Sequence, residues 1–339
     1  ITVSNVTRGH RTLGEDKIVI DSIDNYEKLL RDNYVILSYK DRRDTIIRGL
    51  NKINMEKGGE YMHDEDLLDE VINIVEYPTV LAGDIDTKYL ELPKEVIITP
   101  MKDHQRYFPV LDENENLLPY FLLVRNGDDN HGENVVLGNK KVLVARLEDA
   151  KFFYEIDTAK DLEEYVEELR NLTFFEGLGS MYQKTQRLVD LSAKYQQELN
   201  LGEDIKEDLK RAAYLSKADL VTKMVIEFTE LQGTMGKIYA LNSKENERVA
   251  NAIEEQYMPT SAGGDLPKTI TGIVLSIADK IDSIVGLYAI GKYVTGSQDP
   301  FGLRRQALGL INIILENNID VDLKDLINDS LIVYTEENE

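Results

Sequence analysis

The chain has 339 residues, 42% of them hydrophobic and 30% charged, with no cysteine and a formal net charge of −23. That length predicts two domains rather than one core. The lack of cysteine excludes disulfides, thiolate zinc sites and cysteine nucleophiles and fits a cytosolic setting.

The negative charge excludes a non-specific nucleic-acid binder, which would carry a basic footprint. Any nucleic-acid contact has to come from a local basic patch, another segment or another subunit. No apolar run approaches the roughly 18 residues of a membrane span. The opening ITVSNVTRGH has neither an initiator Met nor a signal-peptide pattern, and reads as the start of a piece of a longer protein.

In chain order, Ile18–Ile20 predicts a strand and Asp21-Ser22 caps a short helix reaching Leu30. Tyr34–Leu37 predicts another short strand. Residues 40–56 read as an amphipathic helix stopped by Gly58-Gly59, and a further helix starts at Asp64 and runs to Pro78. From 79 to 125 the runs TVLAGDI, EVIITPM, RYFPVLDE and PYFLLVRN are β-branched and aromatic and separated by turn residues, which predicts an antiparallel sheet. Residues 133–155 predict a helix. Residues 1–157 therefore read as an α+β domain and 158–339 as an all-α domain, with helices near 161–170, 181–200, 204–230, 243–256, 269–290, 300–316 and 322–333.

The stretch 211–236 reads as one long helix, with Tyr214, Ala218, Val221, Val225 and Phe228 on a single face and Gly233 and Gly236 as stop signals. Asp219 lies beside that face, as a metal ligand or half of a salt bridge. Its cationic partner would be Lys184, or Lys223 at i+4. The helix 269–290 carries Asp279 and Asp282 away from its isoleucine face, and helix 181–200 carries Lys184 and Arg187 among Leu188, Leu191 and Tyr195. Arg304 or Arg305 would neutralise Asp279 or Asp282, because buried acids need partners. The Thr295-Gly296-Ser297 loop invites an anion site, but Asp299, ahead of Pro300, already caps the next helix.

For nucleic-acid contact the candidates are Arg8, His10 and Arg11, then His104 and Arg106 on a strand edge, then Lys140, Lys141 and Arg146 on a helix. Core packing of Tyr107 and Phe108 competes with the strand-edge reading, and solvated surface charge with the basic islands. No P-loop, dinucleotide fingerprint or Ser-His-Asp order is present.

The polar residue at 184, the Ala218-Asp219 pair and the distant Asp279 resemble the pattern of HD domains, which hold metal for phosphohydrolysis through His, His-Asp and Asp. Here Lys184 and Ala218 replace the two histidines. A lysine ammonium repels a divalent ion, so the resemblance implies a degenerate, metal-free site, with metal-dependent phosphohydrolysis through Asp219 and Asp279 as the alternative. A broader resemblance rests on 101–110 (MKDHQRYFPV), 146–153 (RLEDAKFF), 217–222 (KADLVT), 227–233 (EFTELQG) and 295–305 (TGSQDPFGLRR). Together these motifs resemble the β subunit of bacterial glycyl-tRNA synthetase over nearly the whole chain. The resemblance implies a B3/B4-like α+β domain, then an HD-like domain. It also implies a place in an α2β2 ligase that joins glycine to tRNA(Gly), with ATP and Mg held by the α subunit and tRNA recognised chiefly by the β subunit. No cofactor and no catalytic residue is expected in this part of the chain.

Overall fold

The computed structural model describes residues 4–294 and 299–336. The chain is mixed α/β and divides into two compact units, Ile1–Phe152 and Phe153–Glu339.

The first unit opens with a two-stranded pair, β1 (Val6–Thr7) and β2 (Ile18–Val19), then α1 (Tyr26–Asp32), α2 (Tyr39–Lys57), β3 (Glu60–Tyr61), α3 (Glu65–Ile74) and β4 (Pro78–Asp84). After α4 (Lys94–Thr99) come β5 (Phe108–Leu111), β6 (Leu117–Asn126) and α5 (Gly132–Asp157), which runs past the end of the unit. The antiparallel sheet has the order β3-β5-β6-β4. Ile46 and Leu50 of α2, Leu68 and Ile72 of α3, Phe108 and Leu122 bury together on one face of it. Gly83 lies opposite Phe121 in the β4–β6 register, and a Cβ there would sit 2.5 Å from the ring. On α5 the inward stripe is Leu143, Leu147 and Ala150, spaced i, i+4, i+7, while Leu137, Val142 and Phe152 are exposed.

Two expected strands of this unit do not form. Tyr34–Leu37 is an irregular connection, with Tyr34 at φ 60°. Residues 95–101 are helical: α4 starts after Pro93 and passes at Pro100 into a π-helical turn, Pro100–His104, burying Val96, Ile97 and Met101. β-Branched composition lost here to tertiary packing, as β propensity often does.

The second unit is helical apart from a hairpin that the sequence had not signalled, β7 (Thr173–Phe175) with β8 (Gly179–Ser180). Its helices are α6 (Met181–Glu198), α7 (Glu203–Leu215), α8 (Lys223–Glu227), α9 (Thr234–Asn242), α10 (Glu247–Glu255), α11 (Ile270–Ala289), α12 (Leu303–Glu316) and α13 (Leu323–Glu336). α11 is the central strut, packed by α6, α7, α10, α12 and α13 and buried around most of its circumference. Residues 161–170, expected as one helix, form two short 3-10 turns, Leu162–Tyr165 and Glu167–Asn171.

The expected long helix 211–236 is also broken. α7 ends at Leu215, and Ala218–Val221 is a 3-10 turn. Thr222 then restarts the chain as the cap of α8, its hydroxyl accepting from the Val225 N–H. The new start is stabilised from 66 positions away, because the Asp157 carboxylate accepts the N–H groups of Lys223 at 2.9 Å and Met224 at 2.8 Å. A carboxylate at a helix N-terminus satisfies donors the helix cannot and complements its dipole. Asp299 caps α12 from further upstream than expected, accepting from Leu303 N at 2.8 Å and Arg304 N at 2.9 Å, so Pro300 precedes the helix. The expected loop Thr295-Gly296-Ser297 lies outside the described residues.

Candidate functional site

The chemistry of the second unit gathers between α6 and α11. A capping box starts α6: Ser180 Oγ accepts the Gln183 N–H at 3.3 Å and the Gln183 side chain accepts the Ser180 N–H at 3.0 Å. Lys184, Arg187, Leu188, Leu191 and Tyr195 then fall on one buried stripe, so two cations enter the core with the leucines. On α11, Asp279, Asp282 and Ser283 at i, i+3, i+4 share the facing side.

Lys184 Nζ lies 2.9 Å from Asp279 Oδ1 and 2.8 Å from Asp282 Oδ2, and donates to Ser283 Oγ at 2.8 Å. Arg187 Nε donates to Asp282 Oδ1 at 2.7 Å. Lys217, in the turn after α7, donates to Asp279 Oδ2 at 3.0 Å. Aromatic faces cover the cations: Phe174 lies 4.4 Å from the Lys184 ammonium, Tyr257 4.3 Å from Lys217, and Tyr334 4.3 Å from the Arg187 guanidinium. Each acid thus has two cationic partners, and Lys184 bridges the two.

Burial alone would raise the Asp279 carboxyl, but Lys184 and Lys217 outweigh it and hold it far below the usual carboxylate range. Burial lowers both Lys184 and Lys217, but their net shifts have opposite directions. Burial lowers Lys184, but Asp279 and Asp282 together more than reverse this and leave it raised. Lys217 has only Asp279 in direct contact, and burial with the repulsion of Lys184 leaves it lowered.

Asp219 stands apart from this network. It is fully buried, and Oδ2 accepts the Gly233 N–H at 2.6 Å, where the chain enters α9 at φ 81°. Gly236 lets it approach, since a Cβ there would sit 3.1 Å from that oxygen. The two glycines expected as stop signals therefore open α9 and cradle a carboxylate that caps it. Burial raises Asp219 to about 6, against the Gly233 N–H and the attraction of Lys217. Neither Lys184 nor Lys223 is its partner: Lys184 belongs to Asp279 and Asp282, and Lys223 is exposed.

Of the four HD-pattern positions, then, Lys184 and Asp279 touch, Asp219 serves the backbone of α9, and Ala218 offers a buried methyl group. Both oxygens of Asp279 face ammonium groups, and among the described residues no cluster of three His, Asp or Glu side chains is arranged to hold a metal ion. This donor set does not fit a divalent cation. The partners expected for the two α11 acids were Arg304 or Arg305; the structure places Lys184, Lys217 and Arg187 there instead. Lys217 and Lys280 were not singled out from the sequence. Their signal was a lysine next to or two residues from an acid on a buried-type segment, as in Lys217-Ala218-Asp219 and Asp279-Lys280.

In the first unit the nucleic-acid candidates remain on separate elements. Arg8 is exposed and pairs with Asp16 at 3.1 Å. Arg11 is exposed, whereas His10 is only 4% exposed and its Nδ1 accepts the Thr12 N–H at 3.3 Å, so its ring is not part of the surface. His104 ends the π-helical turn rather than lying on a strand edge. Arg106, at φ 59°, donates from Nε to Glu70 at 2.6 Å and also to the Asp103 carbonyl. Tyr107 and Phe108 are core residues, Tyr107 stacking on Phe121 at 4.8 Å. On α5, Lys141 is exposed, while Lys140 and Arg146 are half-buried.

Comparison with known proteins agrees with the sequence motifs. The family model for the glycyl-tRNA synthetase beta subunit matches residues 1–339. The glycine–tRNA ligase beta subunit of Clostridioides difficile (strain 630) is 53% identical over 336 residues, 99% of this chain and 48% of that protein. Those of Lactiplantibacillus plantarum and Bacillus subtilis (strain 168) are 48% and 46% identical, over 96% and 98% of this chain and 47% and 49% of theirs. The chain spans about half the length of the curated relatives it matches. A match along the whole chain, at about half identity to proteins that share one name, shows that it belongs to the glycyl-tRNA synthetase β-subunit family.

Proposed function

We propose that this chain is a non-catalytic region of the β subunit of a tetrameric, α2β2 glycyl-tRNA synthetase. In this reading it contributes to recognition of tRNA(Gly) and to assembly with the α subunit, which binds ATP and Mg, in the cytoplasm. Its first unit is B3/B4-like and its second a degenerate HD-like domain. The observation that supports the non-catalytic part is the Lys184–Asp279–Lys217 contact, in which ammonium groups face both oxygens of one acid of the HD-like pattern. The alternative, metal-dependent phosphohydrolysis through Asp219 and Asp279, would require both acids to leave structural partners.

For tRNA contact the exposed cations Arg8, Arg11 and Lys141, with the half-buried Lys140 and Arg146, are the candidates on the first unit. They would act as phosphate contacts that position the RNA. The test is tRNA(Gly) binding, with the α subunit present, by Arg8→Ala, Arg11→Ala and Arg146→Ala variants across a salt series. Weaker binding with a shallower salt slope supports the reading. Unchanged binding in all three removes these positions from the interface. Phosphate release from nucleotides that depends on metal and is lost in Asp219→Asn would favour the alternative.

A further inference from the structure

Beside the ion network the second unit opens a cleft of about 350 Å³. Among the described residues its lining holds four cations, Lys184, Lys217, Lys280 and Arg305, against the single carboxylate of Asp279. This excess of positive charge stands in a chain whose net charge is −23. Asp279 is already shared by Lys184 and Lys217, so it leaves Lys280 and Arg305 uncompensated.

Lys280 is the sharper case. It is 6% exposed, and its ammonium donates only to neutral oxygens: Met258 O and Ser276 Oγ at 2.7 Å and Gln256 O at 3.3 Å. Burial, with the repulsion of Lys217 and Lys184, outweighs the attraction of Asp279 and brings it down to about 8. A buried ammonium with no anion in contact is costly unless something else brings one.

Three side-chain atoms of the lining lack a hydrogen-bond partner; one, Asp279 Oδ1, still faces the Lys184 ammonium at 2.9 Å, and the other two face no charge in direct contact. The Gln256 side chain is fully buried, and its Nε2 is held by Ser216 O at 2.5 Å and Ile253 O at 3.0 Å. Those two carbonyls assign the amide orientation and leave Oε1 as an unsatisfied acceptor. The Tyr257 hydroxyl is likewise buried without a partner. Buried polar groups are normally satisfied, and an orphan donor and an orphan acceptor around an excess of cations describe a ligand.

We propose that this cleft binds the phosphate group of a phosphate monoester. The oxyanion compensates Lys280 and Arg305, the Tyr257 hydroxyl donates to it, and Gln256 Oε1 accepts from a hydroxyl of the ester or of the phosphate. The volume lies near the lower bound for small-molecule sites, so it suits one phosphate with one attached sugar or base rather than a run of backbone. Free phosphate, a mononucleotide and the phosphorylated end of an RNA share this chemistry. The proposal concerns binding alone and does not rest on the tRNA-contact reading, whose candidate residues lie in the first unit.

The test is isothermal titration of the intact subunit with inorganic phosphate, with adenosine monophosphate, and with an RNA dodecamer carrying or lacking a terminal phosphate. The expected result is a Kd below about 1 mM for at least one phosphate-bearing probe. Arg305→Ala should weaken that binding about tenfold, and Tyr257→Phe severalfold, because charge-assisted hydrogen bonds are stronger than neutral ones. Arg305 is exposed on α12, so its removal does not threaten the fold, and Tyr257→Phe keeps the ring over Lys217. Tighter binding of adenosine monophosphate than of phosphate identifies a nucleotide as the source. An RNA affinity that depends on the terminal phosphate identifies an RNA end. No heat with any probe at about 10 mM, or equal binding in wild type and both variants, overturns the proposal.

Discussion

Replacing Lys184 with methionine removes the cation that bridges both acids of α11 while keeping most of the side-chain volume. The ammonium makes three close contacts, with Asp279, Asp282 and Ser283, and its side chain is 3% exposed. Removing one partner of a buried pair leaves an uncompensated charge and typically costs about 3–5 kcal/mol. Here Asp279 keeps Lys217 and Asp282 keeps Arg187, so the expected loss lies at the lower end, about 3 kcal/mol. For a unit the size of Phe153–Glu339 that corresponds to a fall in Tm of roughly 6–12 °C. Urea unfolding followed by tyrosine fluorescence reads it directly, since the chain has 18 tyrosines and no tryptophan. Asp279→Asn removes the facing charge, and the double variant should recover at least about 1 kcal/mol relative to the sum of the single changes. The loss should also persist from about 0.1 M to 1 M salt, because screening reaches surface pairs far more than buried ones. A loss below about 1 kcal/mol, or one that fades with salt, would refute the bridging role.

Three other outcomes follow from the geometry. Asp219, raised to about 6 in the folded chain, has a higher pKa there than when unfolded, so the folded state binds its proton more tightly. The stability this lends is present below about pH 4 and lost as pH rises through 6, up to about 3 kcal/mol. Asp219→Asn keeps an acceptor for Gly233 without titrating, so its stability relative to wild type should rise by a comparable amount between pH 4 and 7, and urea midpoints that move in parallel would contradict this. Gly233→Ala should destabilise by about 1–3 kcal/mol, because φ is 81° and the added Cβ would meet Tyr257 Cδ2 at 2.6 Å; thermal unfolding measures it. Arg8→Ala should change stability by less than about 0.5 kcal/mol, since its pair with Asp16 joins side chains that are 73% and 87% exposed, which leaves tRNA binding as a clean readout for that variant.

Where local periodicity decides structure, the sequence was legible. α2, α3, α6, α11 and α13 begin and end within a few residues of expectation, because their apolar stripes and caps such as Ser180 and Asp64 are local signals. The failures have long-range causes. The break after Leu215 goes with Asp157, which accepts the first two N–H groups of α8 beside its Thr222 cap, and with Asp219, which accepts the Gly233 N–H where α9 begins, and neither arrangement can be read from neighbouring residues. Residues 95–101 carry strand-like composition, but Pro93 precedes them and Pro100 interrupts them, and the fold uses them as a short buried helix that passes into a π-helical turn. At the candidate site, Lys184, Arg187, Asp279 and Asp282 were recognisable as charges on apolar helices. Their pairing was not, because a periodicity argument places residues on faces without saying which faces meet.

The pairing also accounts for the character of the cleft. Lys184 serves Asp279 and Asp282, Arg187 serves Asp282, and Lys217 serves Asp279, so this part of the network alone places three cations on two acids. Asp219 does not contribute a direct ion pair, because its carboxylate is turned towards the N-terminus of α9. Lys280 and Arg305 then add charge at the open side, where Gln256 and Tyr257 are left unsatisfied. The lysines here therefore do more than pair one acid each. They set the sign of the site, with more ammonium and guanidinium groups than carboxylates and so capacity for an anion. A pocket of that sign has the charge and the unpaired hydrogen-bonding groups to hold the phosphate we propose for it.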